Sequence, residues 1–278
     1  MPAPLAAVMA IINRTPDSFY DQGATHAWDA ALERVDQVIA QGADIVDVGG
    51  VKAGPGQEVS AAEEAARVVD FIAAVHERHP EVVISVDTWR AGVAEAAIAA
   101  GAGLINDTWA GADPELVEVA GQHRVGYVCS HTGGAVPRTR PHRVHYDDVV
   151  ADVIATTDAL ARRAAECGVP PERIYIDPTH DFGKNTFHGL ELLRRVDELV
   201  ATGWPVLMAL SNKDFVGETV ARPVRERLAG TLAATAWAAA RGVAAFRVHE
   251  VAQTVDVLQM TAAIQGQVAP LATIRGLA

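Results

Sequence analysis

Eight short runs of strand-type apolar residues alternate with eight longer, alanine-rich segments along this chain, and that alternation narrows the fold more than any other feature. The runs lie at 8–12, 45–48, 82–86, 104–105, 126–129, 174–176, 205–210 and 246–248. They read as near-continuous apolar stretches, the pattern of strands in a parallel sheet covered on both faces. The segments between and after them, 28–41, 60–77, 90–100, 114–123, 146–166, 190–200, 224–241 and 250–265, have the length and composition of helices. Strands joined through helices of this size make parallel βα units. Eight such units predict a closed (β/α)8 TIM barrel rather than an open doubly wound sheet, and the 278 residues suit a fold that needs about 250. No linker, low-complexity tract or repeat beyond the βα unit interrupts the chain, so 1–278 reads as a single domain.

Local punctuation agrees. Ser60 and Glu63 form a capping-box pattern. Gly42, Gly101, Gly168, Gly203 and Gly242 stand where helices should stop. Val251, Val255, Leu258 and Ala262 give an apolar stripe at helical spacing.

The residues that end the strands carry the functional information. In order they are Asn13, then Asp47 with Gly49 and Gly50, Asp87, Asn106 with Asp107, His131, Asp177, Ser211 to Lys213, and Arg247 with His249. A single loop Asp or Asn is most often a cap or turn residue. Eight polar strand ends in register are poorly explained that way, because a barrel places its chemistry at the carboxyl ends of its strands. Arg247 and His249 alternate around Val248, so both face the barrel mouth. With Asn13 they suit a diphosphate whose charge a divalent metal reduces. Asp87, Asn106 and Asp177 offer hydrogen-bonding edges to a flat, polar heterocycle, with Lys213 for a ring carbonyl; the plain alternative for Lys213 is a solvated loop lysine.

The net charge of −12 argues against non-specific nucleic-acid binding, which needs a basic face, but leaves room for a local anion pocket. No run reaches the roughly 20 apolar residues of a membrane span, and no basic n-region marks a signal peptide. Cys129 and Cys167 form no zinc pattern and read as reduced thiols, so a cytoplasmic protein is expected.

Several ordered motifs resemble those of the dihydropteroate synthase family over nearly the whole chain. They are Ile12-Asn13 with Thr15-Pro16-Asp17-Ser18-Phe19, Asp47-Val48-Gly49-Gly50, Ser85-Val86-Asp87-Thr88, Ile105-Asn106-Asp107, Asp177-Pro178 with Phe182-Gly183-Lys184-Asn185, Ser211 with Lys213, and Arg247-Val248-His249. The resemblance implies a homodimeric TIM barrel that binds 6-hydroxymethyl-7,8-dihydropterin diphosphate with Mg2+ and lets p-aminobenzoate displace pyrophosphate. Carried over by position, it implies that Asp87, Asn106, Asp177 and Lys213 hold the pterin. Asn13, Arg247 and His249 would hold the diphosphate, with Asn13 also a ligand of the metal. The catalytic set would be Asp87, Asp177 and Lys213; the two carboxylates would stabilise the cation left when the pterin C–O bond ionises, and Mg2+ the departing anion.

The departures from the family pattern cluster at the acceptor. Where the family has Glu-Ser-Thr-Arg-Pro-Gly, this chain has 51–56 as Val-Lys-Ala-Gly-Pro-Gly, so Ala53 and Gly54 replace Thr and Arg. Residues 177–184 read Asp-Pro-Thr-His-Asp-Phe-Gly-Lys, departing at 179–181. Asn212 and Asp214 replace the Arg and Ser that meet a benzoate carboxylate. Two charges about 4 Å apart interact by roughly 4 kcal/mol at an effective dielectric near 20, so a like charge there costs affinity. Arg14 follows Asn13, either as a compensating cation or as a salt-bridge partner of Asp17. The pattern is similar to the divergent second homologue of this family in actinomycetes, and implies pterin binding with weak or absent condensation. The alternatives are an active synthase with a rebuilt acceptor site, or a pterin transferase using another acceptor. A methyl-transferring pterin barrel suits the diphosphate-type residues least.

Overall fold

The computed structural model describes residues 5–15, 27–139 and 145–273. Among them eight strands form one all-parallel sheet: β1 (Ala7–Asn13), β2 (Ile45–Gly49), β3 (Val83–Asp87), β4 (Leu104–Asp107), β5 (Gly126–Ser130), β6 (Ile174–Asp177), β7 (Leu207–Met208) and β8 (Ala245–Val248). The strand order is β6-β5-β4-β3-β2-β1-β8-β7. A parallel bridge between Ile176 and Val206 draws the two edges together, with the Ile176 N–H donating to the Pro205 carbonyl at 2.9 Å, so the barrel is nearly closed.

The outer layer is made of α1 (Trp28–Ala40), α2 (Ala61–Arg78), α3 (Ala91–Ala99), α4 (Leu116–His123), α5 (Val149–Glu166), α6 (Thr186–Arg194), α7 (Val196–Val200), α8 (Asp214–Val220), α9 (Leu228–Ala239) and α10 (Val251–Ile264). The main core lies between strands and helices. Val8, Ile12, Val46, Val48, Ile84, Val86, Ile105 and Phe246 point outward from the sheet to meet Val35, Phe71, Ile72, Leu116, Val153 and Leu192. A second cluster, Met9, Ile45, Leu104, Val128, Leu207 and Ala245, plugs the bore. Burying both faces is why these strands read as unbroken apolar runs.

Several boundaries differ from the sequence expectation. The segment 190–200 is two helices: α6 begins at Thr186 behind a reciprocal capping box of Asn185 and His188, and the chain bends at Arg195 before α7. The box expected at Ser60 is half formed, since Ser60 Oγ accepts from Glu63 N–H while the Glu63 carboxylate pairs with Arg67. Asp148 caps α5, which starts three residues later than 146. The run 205–210 contributes only the two-residue β7, and α8 follows it with no periodic signal in the sequence. Gly42 and Gly101 end α1 and α3 at φ 97° and 117°, as expected of helix-stop glycines.

Candidate active site

Side chains two apart along a strand share a face. Ile45, Leu104 and Ala245 plug the bore, so Asp47, Asn106 and Arg247 stand directly above them on the same inner face. The register puts Asp47 beside Ser85, Gly49 beside Asp87, and Asp87 beside Asn106. The polar strand ends therefore form a second storey over the apolar plug. A Cβ added to Gly49 would lie 3.8 Å from Asp87 Oδ2 and 3.9 Å from Asn13 Oδ1, so both oxygens border this glycine.

Arg247 organises this storey. Its Nε donates to Asp47 Oδ2 at 2.6 Å and its terminal nitrogen to Asp87 Oδ2 at 2.7 Å. Asp47 also accepts from Ser85 Oγ at 2.6 Å and from Asn106 Nδ2 at 3.1 Å. Thr108 Oγ1 donates to Asp87 Oδ1 at 2.6 Å. Asn106 thus gives one amide hydrogen to Asp47, and its buried Oδ1 has no partner among the described residues, leaving an acceptor for a ligand N–H. Burial disfavours the Arg247 charge, but Asp47 and Asp87 outweigh it and raise its pKa. Burial lifts the Asp87 carboxyl to about 6; Arg247 opposes that rise and Asp47 adds to it. Asp47 anchors the arginine and Ser85 holds Asp47, roles that the strand-end reading did not assign to either.

Asp177 faces the same space from β6. Its Oδ1 accepts from Thr179 N–H at 2.8 Å, and burial lifts it to about 6 against the pull of that bond and of Lys213, Lys184 and Arg247. Lys213 Nζ is ion-paired with Asp181, so it is not simply a solvated loop lysine. His249 Nδ1 lies 3.0 Å from Ser211 Oγ, which also donates to Glu250 Oε2 at 3.0 Å. Burial, then the nearby Arg247 and Lys213, push the His249 imidazole down to about 3, so it is neutral. Asn13, Asp87, Asn106, Asp177, Lys213, Arg247 and His249 are accordingly gathered at one end of the barrel.

Two polar strand ends serve the scaffold instead. Asp107 turns outward, accepts from the N–H groups of Trp109 and Gly111 and from Tyr127 Oη, and so caps a turn. His131 also faces outward, bonding Asp152 of α5 and Lys184.

The rebuilt acceptor region carries groups not singled out from the sequence. Arg227 donates to Asp214 Oδ1 at 2.8 Å and to the Asn212 carbonyl at 2.8 Å, so the Asp214 charge is balanced. Asn212 is buried at φ 56° with its side chain on Glu250 Oε1 at 2.9 Å. Arg14 packs its guanidinium over Phe71 at 4.7 Å and Trp28 at 5.7 Å and donates to the Ala27 carbonyl at 3.3 Å. Its suggested partner Asp17 and the motif residues 16–19 lie outside the described residues. The 51–59 loop, with Lys52, Ala53 and Gly54, is tied down by Arg67 on the Gly50 carbonyl, Arg138 on that of Gln57 and Arg90 on that of Val59.

Comparison with known proteins agrees with this geometry. The pterin binding enzyme family matches residues 9–249. The chain is 61% identical over 275 residues to the inactive dihydropteroate synthase 2 of Mycobacterium leprae, covering 98% of this chain and 94% of that protein. It is 40% identical over 253 residues to a dihydropteroate synthase of Streptococcus pyogenes, covering 88% of this chain and 91% of that one. A solved Xanthomonas albilineans dihydropteroate synthase with 4-aminobenzoic acid superposes with a TM-score of 0.86 at 38% identity, covering 96% and 94% of the two chains. The family motifs, the polar mouth above an apolar bore and these likenesses converge: the chain belongs to the pterin binding enzymes, as a dihydropteroate synthase homologue.

Proposed function

We propose that this chain binds 6-hydroxymethyl-7,8-dihydropterin diphosphate in the barrel mouth and condenses it with p-aminobenzoate weakly or not at all. The observation that carries the reading is the inward polar storey: acceptors at Asn106 Oδ1 and Asp177, the Lys213 donor beside them, and Arg247 behind them. An amino-pyrimidine edge presents N–H donors, and a buried carboxylate meets them with charge-assisted hydrogen bonds. Arg247 and His249 lie on the side where the diphosphate would sit. The Asp87 and Asp177 carboxylates flank the space where positive charge develops as the C–O bond breaks. Asn13 Oδ1, which borders Gly49, would hold Mg2+, which favours a few oxygen ligands plus phosphates and waters. When bound there, Mg2+ supplies charge neutralisation for the departing diphosphate.

The relatives support the weak-condensation half of the proposal, since the Mycobacterium leprae protein is named as inactive. Arg227, which balances Asp214, favours one alternative, an active enzyme with a rebuilt acceptor site. Titrating the protein with the pterin diphosphate, with and without p-aminobenzoate, separates the two through pyrophosphate release. In calorimetry Asp177→Asn should weaken pterin binding more than about tenfold, because a hydrogen bond to a charged group is worth about 1.5–3 kcal/mol. Wild-type affinity should rise as pH increases through about 6, where Asp177 ionises. Equal binding by wild type and variant would remove Asp177 from the site.

The proposal includes a cytoplasmic homodimer. Two free cysteines are in keeping with a reducing compartment: Cys129, buried with its thiol pKa pushed up by burial, and Cys167. Among the described residues no helix is long and apolar enough to cross a membrane. An apolar groove lined by Leu193, Phe215, Val216, Val220 and Trp237 lies between α6, α8 and α9. Helix α9 is apolar almost all round, as expected of a helix covered on a second side. Sedimentation should give a dimer for the wild type and a monomer for Val220→Glu; a monomeric wild type would end this part of the proposal.

A further inference from the structure

Lys184 belongs to a sequence motif but has no task in the site described so far. Its ammonium shares its three hydrogens among His131 Nδ1 and three backbone carbonyls, those of His131 at 3.1 Å, Thr179 at 3.2 Å and Phe182 at 3.0 Å. It lies 2.8 Å from His131 Nδ1. A protonated amine has hydrogens to give and nothing to accept with, so Nδ1 is the acceptor and the imidazole hydrogen sits on Nε2. That nitrogen is 2.7 Å from Asp152 Oδ1 on α5. The lysine therefore joins the end of β5, the loop after β6 and, through His131, a helix of the outer layer.

The loop it holds contains Thr179, a β-branched residue at φ 48°, in a region such residues rarely enter. Thr179 is also the residue whose N–H fixes Asp177 Oδ1 at 2.8 Å. The left-handed turn persists only if its surroundings over-determine it. Besides Lys184, they supply the Thr179 Oγ1 bond to the Asp177 carbonyl at 3.1 Å and the His131 N–H bond to Thr179 Oγ1 at 3.3 Å.

We propose that Lys184 is a positioning residue that locks the Thr179 turn and so aims the Asp177 carboxylate into the barrel mouth. The proposal rests on the pterin-binding reading above, and it requires no contact between Lys184 and the ligand. Burial supports the assignment by making this ammonium dependent on its acceptors, lowering its pKa to about 7.

The test is a double-mutant cycle with Thr179→Gly, because glycine takes a positive φ without strain and no longer needs the lock. Binding of 6-hydroxymethyl-7,8-dihydropterin diphosphate is measured by calorimetry at pH 6.5. Lys184→Met should weaken it about tenfold or more with threonine at 179, and by less than about threefold with glycine there. A merely structural lysine would cost the same on both backgrounds, and that result overturns the proposal. If Lys184→Met does not fold, Lys184→Gln enters the same cycle. Amide exchange supplies a readout that needs no ligand. The Phe182 N–H, bonded to the Thr179 carbonyl at 3.2 Å, should exchange faster in the lysine variant while β1–β4 amides stay unchanged. Unaltered exchange at Thr179 and Phe182 overturns the lock. A wild type that ignores the pterin, but whose variant loosens this loop, removes the functional reading and leaves the lock in place.

Discussion

Replacing Arg247 with methionine is expected to destabilise the protein by about 3–5 kcal/mol at pH 8 and by clearly less at pH 5, because it breaks a buried ion pair and leaves the partner charge behind. Arg247 is bonded to two carboxylates at once, Asp47 at 2.6 Å and Asp87 at 2.7 Å, and the Asp47 side chain is fully buried. Without the arginine these carboxylates face each other as like charges. The pH dependence follows from Asp87. Burial already lifts its folded pKa to about 6, above 3.8, although Arg247 pulls it down. Removing Arg247 lifts it further, so the folded state holds the proton more tightly than the unfolded chain does. Stability is then fully present below the unfolded pKa and is lost as pH rises through the folded one. Thermal melts should place the variant of order ten degrees below wild type at pH 8, with a smaller gap at pH 5. Adding Asp87→Asn removes the facing charge and should recover part of the loss at pH 8. A variant that melts with the wild type at pH 8 would show that the bore tolerates two unpaired carboxylates. Arg247→Lys should fall between, since a point charge cannot bridge both acids as the planar guanidinium does.

The barrel was legible because its signal is long-range and repeated. Burial on both faces makes each strand an apolar run, and helices of 8 to 18 residues separate most of them. What stayed hidden was local or depended on partners far away in sequence. Helix α8 has seven residues, too few for a period to emerge, and the capping box at Asn185 uses a histidine in place of the usual Glu or Gln. At the mouth, the type and position of Asp87, Asn106, Asp177, Arg247 and His249 were readable, since strand alternation fixes which way each faces; Lys213 stands five residues past the end of β7, beyond the reach of that rule. Their pairings were not. Nothing in the sequence says that Arg247 meets Asp47 across 200 positions, or that Asn106 gives its amide to the same carboxylate. Strand parity, applied one residue further, would have sent Asp107 and His131 outward to the scaffold and drawn Asp47 into the site. Arg227 escaped notice because a lone arginine on a helical stretch reads as a solvated face, whereas here it neutralises Asp214.

That pair reshapes the expected behaviour of the acceptor site. The wild type should release little or no pyrophosphate with p-aminobenzoate, and neutral aryl amines such as sulfones should be accepted better than the carboxylate. Restoring the family residues one at a time should give unequal results. Asp214→Ser removes an exposed anion and frees Arg227, which stays anchored by its bond to the Asn212 carbonyl. An exposed pair is worth at most about 1 kcal/mol, so benzoate affinity should rise up to about fivefold. Asn212→Arg should do less alone. Position 212 is buried at φ 56°, and its side chain bonds Glu250. An arginine there is overpacked, a change that typically costs about 1–3 kcal/mol, and Glu250 is the first anion it meets. Its guanidinium would be spent on that carboxylate before reaching a benzoate. The double variant should exceed Asp214→Ser only if Glu250 is also neutralised, by Glu250→Gln. The measurement is pyrophosphate release against p-aminobenzoate concentration for wild type, both single variants, the double variant and the triple combination. A larger gain from Asn212→Arg than from Asp214→Ser would mean that the buried amide, rather than the Asp214–Arg227 pair, controls the acceptor. Ordinary turnover by the wild type would point to a cation already serving the carboxylate. Arg227 and Lys52 would be the residues to replace first, since Arg14 is held between Phe71 and Trp28.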